Sequence, residues 1–498
     1  MLERLHTPTL PGIPESCWLA KAPKPQFAEF SGSIECDVVI VGAGIVGLTA
    51  ALALIEQGKS VTVLEARQIG AQVTGRSTAK ITSQHALIYR RLIDRFGLDT
   101  ARLYAEANRT GCDQIKLWIE RFAIDCDYET KNAYAYASKA GRTLDIEAEV
   151  EAAREVGFAA SFVEKAPLPF DTSAAIAFPG QAQFNPASYL VHLAMAAQEA
   201  GARIFASSRA RNFAKGSQSW RVETEKGAVD ANAVVVATNI PVKSPVGYAN
   251  RTQPRCHVAM AYRLARGHDI DGMFIGIDDP THSIRTGQDD EGELLIVLGP
   301  KFDTGQDGDV AQRFRDLHSW VRNRLPAENV VWRWCNEDYD TVDRVPYVGE
   351  PSPEEAPNYF IATGFNGWGI SNGTAAGLSM AHKIVAGTEL WPSLYDPRRP
   401  VPKDFHRSGD SQSLVESLDD IPIGGGGVVR RGEDFVAVWR DMDGRAHAVS
   451  AACTHKGCTV TWNTADGTWD CPCHGSVFEA NGTVIHGPAR EALPARDL

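Results

Sequence analysis

Two short segments near the C-terminal end, each combining cysteine with histidine, constrain the fold of this 498-residue chain more than any other feature. The first segment runs from Cys453 through His455 to Cys458, and the second begins at Cys471 and ends at His474. Thiolates and imidazoles at such spacings are typical metal ligands. Because each segment contributes only part of the set, the sequence predicts a metal centre built from two loops that the fold brings together.

The pattern of these two loops matches a specific kind of iron–sulfur centre. A Rieske [2Fe–2S] cluster holds one iron by two cysteine thiolates and the other iron by two histidine nitrogens. The loops closely resemble those of Rieske proteins of the respiratory type, and residues 487–489 resemble the third loop that covers the cluster in that family. The resemblance implies these roles: Cys453 and Cys471 bind one iron, His455 and His474 bind the other, and Cys458 and Cys473 form a disulfide between the loops.

Zinc is the alternative occupant of such a site, because loops of cysteine and histidine also bind zinc. The six candidate ligands exceed a tetrahedral set, and the proline between Cys471 and Cys473 favours the Rieske pattern. Ser476 is placed to hydrogen-bond the cluster, whereas Phe478 stands where high-potential members of the family often carry tyrosine. Such hydrogen bonds raise the potential, so the missing hydroxyl argues against a high-potential centre.

A second motif lies in the N-terminal part, where Gly42, Gly44 and Gly47 form the pattern Gly-x-Gly-x-x-Gly. It follows an apolar strand candidate at residues 36–41, opens a helix candidate at residues 45–57, and precedes Glu65 by about 20 positions, as a dinucleotide site requires. The first glycine makes a tight turn, the second lets the main chain approach a pyrophosphate, and the third lets the helix pack on the strand. The helix N-terminus favours phosphate, and Glu65 can accept hydrogen bonds from ribose hydroxyls.

Three further segments resemble the glycine/D-amino-acid oxidase family of flavoproteins, so that the resemblance spans about residues 33–387. They are residues 75–80, residues 231–239, and residues 343–349 together with 359–371. In the last of these, the resemblance implies main-chain N–H groups at a helix start facing the flavin N1/O2 edge, where negative charge grows on reduction. The family implies FAD as the cofactor, bound by Gly42, Gly44, Ile45, Val46, Gly47, Glu65, Ala66, Arg67, Gly75, Arg76, Ser77, Thr78, Ala79, Lys80, Thr238, Asn239, Asp343, Gly364, Gly367, Trp368, Gly369 and Ile370.

The chain is too long for one hydrophobic core, since single cores stop growing near roughly 250–300 residues. The family resemblance implies an α/β, Rossmann-like FAD-binding domain (residues 33–89, 187–250 and 335–395) interleaved with an α+β substrate domain (residues 90–186 and 251–334). Further helix candidates lie at residues 186–200 and 372–386. A proline- and glycine-rich stretch at residues 396–427 predicts a linker. Short apolar runs separated by Asp-Gly and Asn-Gly turns then predict a small all-β Rieske domain at residues 428–498.

Three side chains are candidates to meet the substrate. Arg285 is suited to pair with a substrate carboxylate in a bidentate manner, and His282 lies just before it. Lys80 lies in the segment that resembles a flavin-binding one; exposure to solvent is the competing interpretation for both Lys80 and Arg285. Amino-acid oxidases of the family often carry an arginine shortly before the position of Asp343, but residues 336–340 contain none, which argues against a plain α-amino-acid substrate.

The composition excludes some functions. A formal net charge of −12 argues against a nucleic-acid partner. The one long apolar stretch, residues 36–55, contains the motif glycines and therefore predicts a buried strand and helix rather than a membrane span. Scattered single cysteines and an N-terminus without the layout of a signal peptide predict reduced thiols and a cytoplasmic location.

Taken with the two resemblances, the motifs predict an FAD-dependent oxidoreductase that oxidises a C–N bond of an amine or amino-acid-like substrate. Electrons would pass from FAD through the cluster to an external one-electron acceptor protein. Two alternatives remain open. A partner reductase could act as the electron donor and feed the flavin of a reductase or monooxygenase through the cluster, or the chain could be a redox sensor or carrier without a substrate cavity beside the flavin.

Overall fold

The computed structural model describes residues 10–217, 219–244, 247–306, 309–401 and 414–498. The three predicted helices are present, with starts at Ile45, Pro186 and Gly369. Asn185 caps the second of them, because its side-chain oxygen accepts hydrogen bonds from two main-chain N–H groups of the first turn. The helices are α1 (Cys17–Lys21), α2 (Ile45–Glu56), α3 (Ile88–Phe96), α4 (Leu98–Arg121), α5 (Thr143–Glu155), α6 (Pro186–Glu199), α7 (Val310–Arg322) and α8 (Gly369–Ala386).

The strands follow the same chain order and form four sheets. They are β1 (Gly32–Val41), β2 (Val61–Leu64), β3 (Lys80–Ile81), β4 (Glu129–Ala137), β5 (Ser161–Val163), β6 (Ala174–Gln183), β7 (Arg203–Phe205), β8 (Asn212–Lys215), β9 (Trp220–Glu223), β10 (Gly227–Val236), β11 (Thr252–Leu264), β12 (Met273–Gly276), β13 (Ser283–Asp289), β14 (Gly292–Leu298), β15 (Phe302–Asp303), β16 (Ala327–Thr341), β17 (Tyr347–Gly349), β18 (Tyr359–Thr363), β19 (Gly426–Arg431), β20 (Asp434–Arg440), β21 (Ala446–Ser450), β22 (Thr461–Asn463), β23 (Thr468–Asp470), β24 (Val477–Glu479) and β25 (Val484–His486).

The first sheet has the order β17-β18-β10-β1-β2-β7, with β9 and β8 added beside β10. Its central strands are parallel, and Val39 of β1 lies between Val234 of β10 and Thr62 of β2. Helices α6 and α8 pack on α2, which covers one face of the sheet. Parallel strands place their carboxyl ends at one edge, where doubly wound sheets bind ligands, so this sheet accounts for the predicted α/β domain.

The second sheet has the order β15-β11-β14-β13-β12-β4-β6-β3, with β16 paired to β11 and β5 paired to β6. Apart from β3 and the end of β16, its strands lie within the residues predicted for the substrate domain. Two strands differ from the predicted bounds, since β3 and the end of β16 run in this sheet and not in the first one. The end of β16 belongs to the second sheet because its pairing with β11 continues to Thr341. This strand therefore extends the second sheet as far as the edge of the first.

The C-terminal domain consists of two antiparallel sheets, β19-β20-β21 and β22-β23-β24-β25. The glycines of its predicted turns, Gly444, Gly467 and Gly482, all have positive φ. Part of the predicted linker belongs to this domain, because the N–H of Val415 donates to the carbonyl of Val428 at 2.9 Å. Residues 402–413 of the predicted linker lie outside the described residues.

The apolar stretch at residues 36–55 forms β1, a turn at Gly42 and α2. Helix α2 is buried over most of its length between the first sheet and its neighbouring helices. Within the described part of the chain, no helix combines the length and the apolarity needed to cross a bilayer.

Candidate active site

A large cavity, called the first cavity, opens at the carboxyl ends of β1, β2 and β10 and encloses about 1610 Å³, including its open mouth. Its walls include Val41 at the end of β1, the start of α2, and the start of α8. This is the position at which doubly wound sheets bind dinucleotides. The predicted cofactor residues that line it are Gly42, Gly44, Ile45, Val46, Glu65, Ala66, Arg67, Ser77, Thr78, Thr238, Asn239, Gly367, Gly369 and Ile370.

Each of the three motif glycines is required for a different structural reason. Gly42 has a φ of +106°, and a Cβ on it would lie 2.5 Å from the carbonyl oxygen of Ala237. A Cβ on Gly47 would lie 1.9 Å from the carbonyl oxygen of Gly42, so this glycine allows α2 to pack on β1. Gly44 instead borders the open cavity, and the nearest atom to its Cβ would be the hydroxyl of Thr74 at 3.4 Å. The main chain can therefore approach a pyrophosphate at Gly44, as the motif predicts.

Glu65 is held by two main-chain N–H groups. Its Oε2 accepts from Ala43 at 2.9 Å, and its Oε1 accepts from Arg67 at 2.9 Å. Burial raises the pKa of the carboxyl, and these two hydrogen bonds oppose that effect. A carboxylate can accept about four hydrogen bonds, so Glu65 retains capacity for ribose hydroxyls.

The loop before α8 brings a helix N-terminus to the other end of the first cavity. The N–H of Gly367 donates to Asp338, and the carbonyl of Asn366 accepts from Lys301 at 3.0 Å. Gly369 and Ile370 then begin the helix, where N–H groups are free of intrahelical partners and the helix dipole is positive. Such groups stabilise the negative charge that grows on a reduced flavin ring, and the cavity as a whole fits FAD.

Eight predicted cofactor residues are not in the lining of the first cavity. Asp343 is the clearest difference, because it is buried against Arg399, with Nε–Oδ2 and Nη2–Oδ1 distances of 2.6 and 3.0 Å, and this pair anchors the start of the segment that leads to β17. Lys80 and Trp368 line a neighbouring cavity instead. The eight residues are Gly47, Gly75, Arg76, Ala79, Lys80, Asp343, Gly364 and Trp368.

The second cavity has about 1670 Å³ of empty space, including its open mouth, and adjoins the first at the N-terminal end of α8. Because the two cavities share a wall at the position expected for the flavin ring, a molecule in the second cavity would lie beside that ring. The shared lining residues are Ser77, Thr78, His257, Leu298, Gly367 and Ile370.

Lys80 lines the second cavity as a buried amine. Its Nζ donates to the carbonyl of Phe274 at 2.6 Å and to the hydroxyl of Ser283 at 2.5 Å. Burial, assisted by the positive charge of Arg285, lowers the pKa of Lys80 to about 7. With two hydrogen bonds donated to the protein, the neutral amine keeps a lone pair able to accept a proton.

Arg285 and His282 take structural positions and line neither cavity. The guanidinium of Arg285 is 2% exposed and donates to the carbonyls of Thr78 and Ala79 at 2.9 and 2.8 Å, so it supports the flavin segment from behind. The ring of His282 stacks on Trp320 with centroids 3.9 Å apart. The structure thus gives neither side chain the contact with substrate that the sequence predicts, because their polar atoms already serve the protein's own main chain.

The two predicted metal-binding loops share one main-chain frame. The N–H of Cys453 donates to the carbonyl five residues later at 2.9 Å, and the N–H of Gly457 donates back to the Cys453 carbonyl at 2.7 Å. In the second loop, Cys471 donates to the carbonyl five residues later at 2.8 Å, and Gly475 donates back at 3.0 Å. Both glycines have positive φ, which lets each loop close tightly around its cysteine.

The four predicted cluster ligands converge between these loops. The buried thiols of Cys453 and Cys471 form a hydrogen bond, which is the main reason that the pKa of Cys453 is lowered. The rings of His455 and His474 lie with their centroids 4.7 Å apart and nearly perpendicular. Two thiols and two imidazoles that face one another are the donor set of a Rieske cluster, so these residues fit the group.

The disulfide implied by the resemblance is confirmed, with the sulfurs of Cys458 and Cys473 bonded to each other. These two cysteines are therefore not available as zinc ligands. Residues 487–489 lie close over the second loop, since a Cβ on Gly487 would approach both Gly475 and Ser476 at 2.5 Å. This close approach matches the covering loop expected from the family.

The second cluster loop lies directly on the FAD-binding body. The Nε2 of His474 is 2.8 Å from the Oδ1 of Asn250, which can only accept, so Nδ1 is left as the nitrogen able to bind iron. The hydroxyl of Tyr339 donates to the carbonyls of His474 and Gly475, both at 3.2 Å. Because Tyr339 also lines the first cavity, one side chain joins the flavin site to the cluster loop.

The Rieske domain also closes part of the first cavity. Arg209, a lining residue of the body, donates to the carbonyls of Val484 and Ile485 at 2.9 and 3.3 Å. The Nε2 of His486 lies against the Oε2 of Glu337 of β16. These contacts could not be predicted from the sequence. The Rieske residues in the wall are Ile485, His486, Gly487, Ala489 and Arg490.

Replacing Glu65 tests the dinucleotide site. Glu65→Ala should weaken FAD binding by about 1.5–3 kcal/mol, because hydrogen bonds to a charged group are lost. The dissociation constant of FAD for the apoprotein, measured by quenching of flavin fluorescence, checks this. Glu56→Ala, at the far end of α2, is the matched control, and iron content should not change in either variant. An unaltered dissociation constant in Glu65→Ala would mean that the motif was misinterpreted.

Comparison with known proteins supports both the FAD-binding body and the C-terminal Rieske domain. The family model described as "FAD dependent oxidoreductase" matches residues 37–383, and the model "Rieske [2Fe-2S] domain" matches residues 412–496, which places the domain start within the predicted linker. The Rieske 2Fe-2S iron-sulfur protein YhfW of Bacillus subtilis is 30% identical over 97% of this chain and 98% of its own length.

Two further comparisons concern the body. Gamma-glutamylputrescine oxidoreductase of Escherichia coli is 24% identical over 76% of this chain and 90% of its own length. The crystal structure of glycine oxidase from Geobacillus kaustophilus superposes with a TM-score of 0.61 at 19% identity, covering 74% of this chain and all of the oxidase. The predicted fold class is thereby confirmed. The chain belongs to the FAD dependent oxidoreductase family and is an oxidoreductase with FAD and a C-terminal Rieske [2Fe–2S] centre as its cofactors.

Proposed function

We propose that the enzyme oxidises a carbon–nitrogen bond of an amine or amino-acid-like substrate in the second cavity and delivers the electrons through the Rieske cluster to an external one-electron acceptor. When bound, FAD takes up two electrons from such a carbon, and the cluster carries one electron at a time. The position of the second cavity beside the flavin site supports an enzyme rather than a redox carrier.

One observation carries the proposed route. The side chain of Tyr339 lines the first cavity and donates its hydroxyl to the two adjacent carbonyls of the second cluster loop. Asn250 holds the outer nitrogen of the ligand His474 from the same side. The flavin site and the cluster are thus neighbours within one chain, which favours direct electron transfer between them.

The choice of a C–N bond rests on the second cavity and on a relative. The relative from Escherichia coli is named for an amine substrate, gamma-glutamylputrescine. An amine must lose a proton before its carbon is oxidised, and Lys80 offers a neutral amine in the cavity wall to accept that proton. We assign Lys80 the role of base, in which it holds the proton while Phe274 and Ser283 fix its orientation.

We further propose that the enzyme works in the cytoplasm with a soluble protein as electron acceptor. The six scattered cysteines are unbridged, and the buried thiols of Cys256 and Cys335 are hydrogen-bonded to each other without forming a disulfide. Unbridged neighbouring thiols are typical of a reducing compartment.

The test is an anaerobic screen of amines and amino acids in which flavin bleaching is followed optically and cluster reduction is followed by EPR. The expected result is loss of flavin absorption followed by a Rieske-type signal in the same sample. Amine-dependent flavin bleaching without any cluster signal would contradict the proposed route. Cluster and flavin reduction by a ferredoxin-type donor, with no response to any amine, would favour the reverse direction.

Tyr339→Phe tests the contact that carries the proposal. Losing one hydrogen bond to the cluster loop, worth about 1 kcal/mol, should slow flavin-to-cluster transfer by up to about fivefold. Stopped-flow spectroscopy gives this rate, and the rate of flavin bleaching by substrate should stay unchanged. Tyr128→Phe, a partly buried tyrosine packed in the core away from the cluster loops, is the matched control. Equal transfer rates in the variant and the wild type would show that Tyr339 does not contribute to flavin-to-cluster electron transfer.

A further inference from the structure

We infer that the substrate carries an anionic group remote from its C–N bond, and that Arg91 and Arg344 bind this group at the mouth of the second cavity. The inference rests on the proposed function, because it takes the second cavity as the substrate site. It names a substrate class, an amine with a distal carboxylate or a similar anion.

The charges around the second cavity are strongly unbalanced. Asp279 is the only acidic residue in the lining of this cavity within the described part of the chain. This excess of positive charge contrasts with the net charge of −12 of the whole chain. A cavity lined by one sign of charge attracts a ligand of the other sign. The cationic lining residues are Arg91, Arg142, Lys301 and Arg344.

The acids nearest to this wall are already shared or occupied. Asp340 serves two cations at once, since its Oδ1 pairs with Lys301 at 2.7 Å and its Oδ2 pairs with Arg344 at 2.7 Å. Asp343 is bound through both oxygens to Arg399. One carboxylate between two cations leaves a net positive charge beside the cavity.

Arg91 adds to this charge from the opposite element, α3. The hydrogen bond that the structure gives its guanidinium is to the carbonyl of Val342 at 3.3 Å, a neutral and long contact. Partial desolvation lowers the pKa of Arg91, and the nearby positive charges of Arg344 and Arg95 lower it further. Two guanidinium groups that repel each other at a cavity mouth form a site that a carboxylate or a similar anion would stabilise by bidentate hydrogen bonds.

The backbone of Arg344 gives an independent reason to assign it to a ligand site. Its φ is +66°, in the left-handed region that L side chains rarely adopt. Strained positions of this kind cluster at ligand sites, where the surrounding contacts hold them in place. Here the ion pair with Asp340 holds the side chain, and the N–H of Arg344 donates to the carbonyl of Thr341 at 3.3 Å.

The burial of the lining residues indicates how a substrate would be oriented in the second cavity. Lys80 and His85 are 9% and 3% exposed and line the inner part of the cavity. Arg91 is exposed and Arg142 is half-buried, so the arginines mark the outer part. The amine would therefore enter first and meet Lys80 beside the flavin, while the anionic group stays at the mouth.

The experiment compares matched ligands with and without the anion. The oxidised holoenzyme is titrated anaerobically with ω-amino acids from 3-aminopropanoate to 6-aminohexanoate and with the corresponding ω-amino amides. Binding is measured from the perturbation or bleaching of flavin absorption. At least one acid should bind about tenfold or more tightly than its amide, as expected for a charge-assisted contact.

Substitutions of Arg91 test whether this residue causes the preference for the acid over the amide. Arg91→Gln should weaken binding of the preferred acid about tenfold and leave amide binding unchanged. Arg91→Lys should recover part of the loss, because it keeps the charge but not the planar fork. Arg90→Gln is the matched control, since this neighbouring arginine pairs with Asp94 and does not line the second cavity.

Equal binding of acids and amides, absence of any flavin response to either series, or a preference unaffected by Arg91→Gln would each overturn the inference. Failure of the proposed function has a different signature. The flavin can be reduced photochemically with EDTA as the electron donor in place of substrate, and if the cluster then stays oxidised, the route from flavin to cluster is wrong whatever the ligand preference.

Discussion

His474→Ala should separate two activities of the enzyme: substrate should still bleach the flavin in a single turnover, whereas turnover with cytochrome c as a one-electron protein acceptor should fall to background. The variant removes a cluster ligand and should lose the cluster, because such sites depend on their full ligand set. The FAD-binding body has its own core and should keep its flavin. Stopped-flow absorption, iron analysis and steady-state turnover check these three points.

The control for this variant is His447→Ala. His447 lies on β21 of the same domain, is exposed, and pairs with Asp441, so its loss should leave iron content and turnover unchanged. A small dye that accepts electrons directly from flavin should restore turnover of His474→Ala. Normal turnover of His474→Ala with cytochrome c would show that the cluster is not part of the electron route. Loss of flavin bleaching with FAD still bound would mean that the Rieske domain shapes the second cavity.

Lys80→Met should lower the rate of flavin bleaching by about 10²–10⁴-fold at pH 8, the usual effect of removing a general base. In the wild type the rate should rise with pH through about 7, because burial lowers the pKa of Lys80 to about 7 and only the neutral amine can accept a proton. The variant should lack this rise. Stopped-flow measurements between pH 6 and 9 test both expectations.

The same substitution should not cost stability at low pH. The folded-state pKa of Lys80 lies below that of the unfolded chain, so between pH 7 and about 10.4 the unfolded chain binds more protons and stability rises with pH. Below pH 7 the wild type must hold a buried charge, and Lys80→Met should be at least as stable there in thermal unfolding. Lys131→Met, which removes a paired lysine outside both cavities, is the control for activity. A variant with the wild-type rate and pH profile would exclude Lys80 as the base.

The parts of the site that could be predicted from the sequence are those set by short-range geometry. Gly42 and Gly47 are required by contacts within a few residues or with the adjacent parallel strand, and the two cluster loops repeat one local frame. Such contacts require particular residues at fixed spacing, so they can be recognised in the sequence as a motif. The same reasoning explains why the start of α2 was predicted correctly, whereas the disulfide of the cluster loops was implied by the resemblance to Rieske proteins.

The parts that could not be predicted depend on contacts between distant segments. Tyr339 and Asn250 meet the cluster loop across 135 and 224 residues of chain, respectively, and neither lies in a recognisable motif. For Arg285 the sequence predicts a substrate contact, because an arginine beside an apolar strand is compatible with one. Only the fold reveals that its guanidinium is occupied by the carbonyls of Thr78 and Ala79.

The contact of Tyr339 with the cluster loop also has a kinetic consequence. Covalent fusion and docking replace an encounter between two proteins by a contact within one molecule, so the effective concentration of the cluster at the flavin does not depend on how much enzyme is present. The hydrogen bonds of Tyr339 join an uncharged hydroxyl to main-chain carbonyls, which also makes this contact less sensitive to ionic strength. On the proposed route, the only step left to diffusion on the acceptor side is the meeting of the reduced enzyme with its external acceptor.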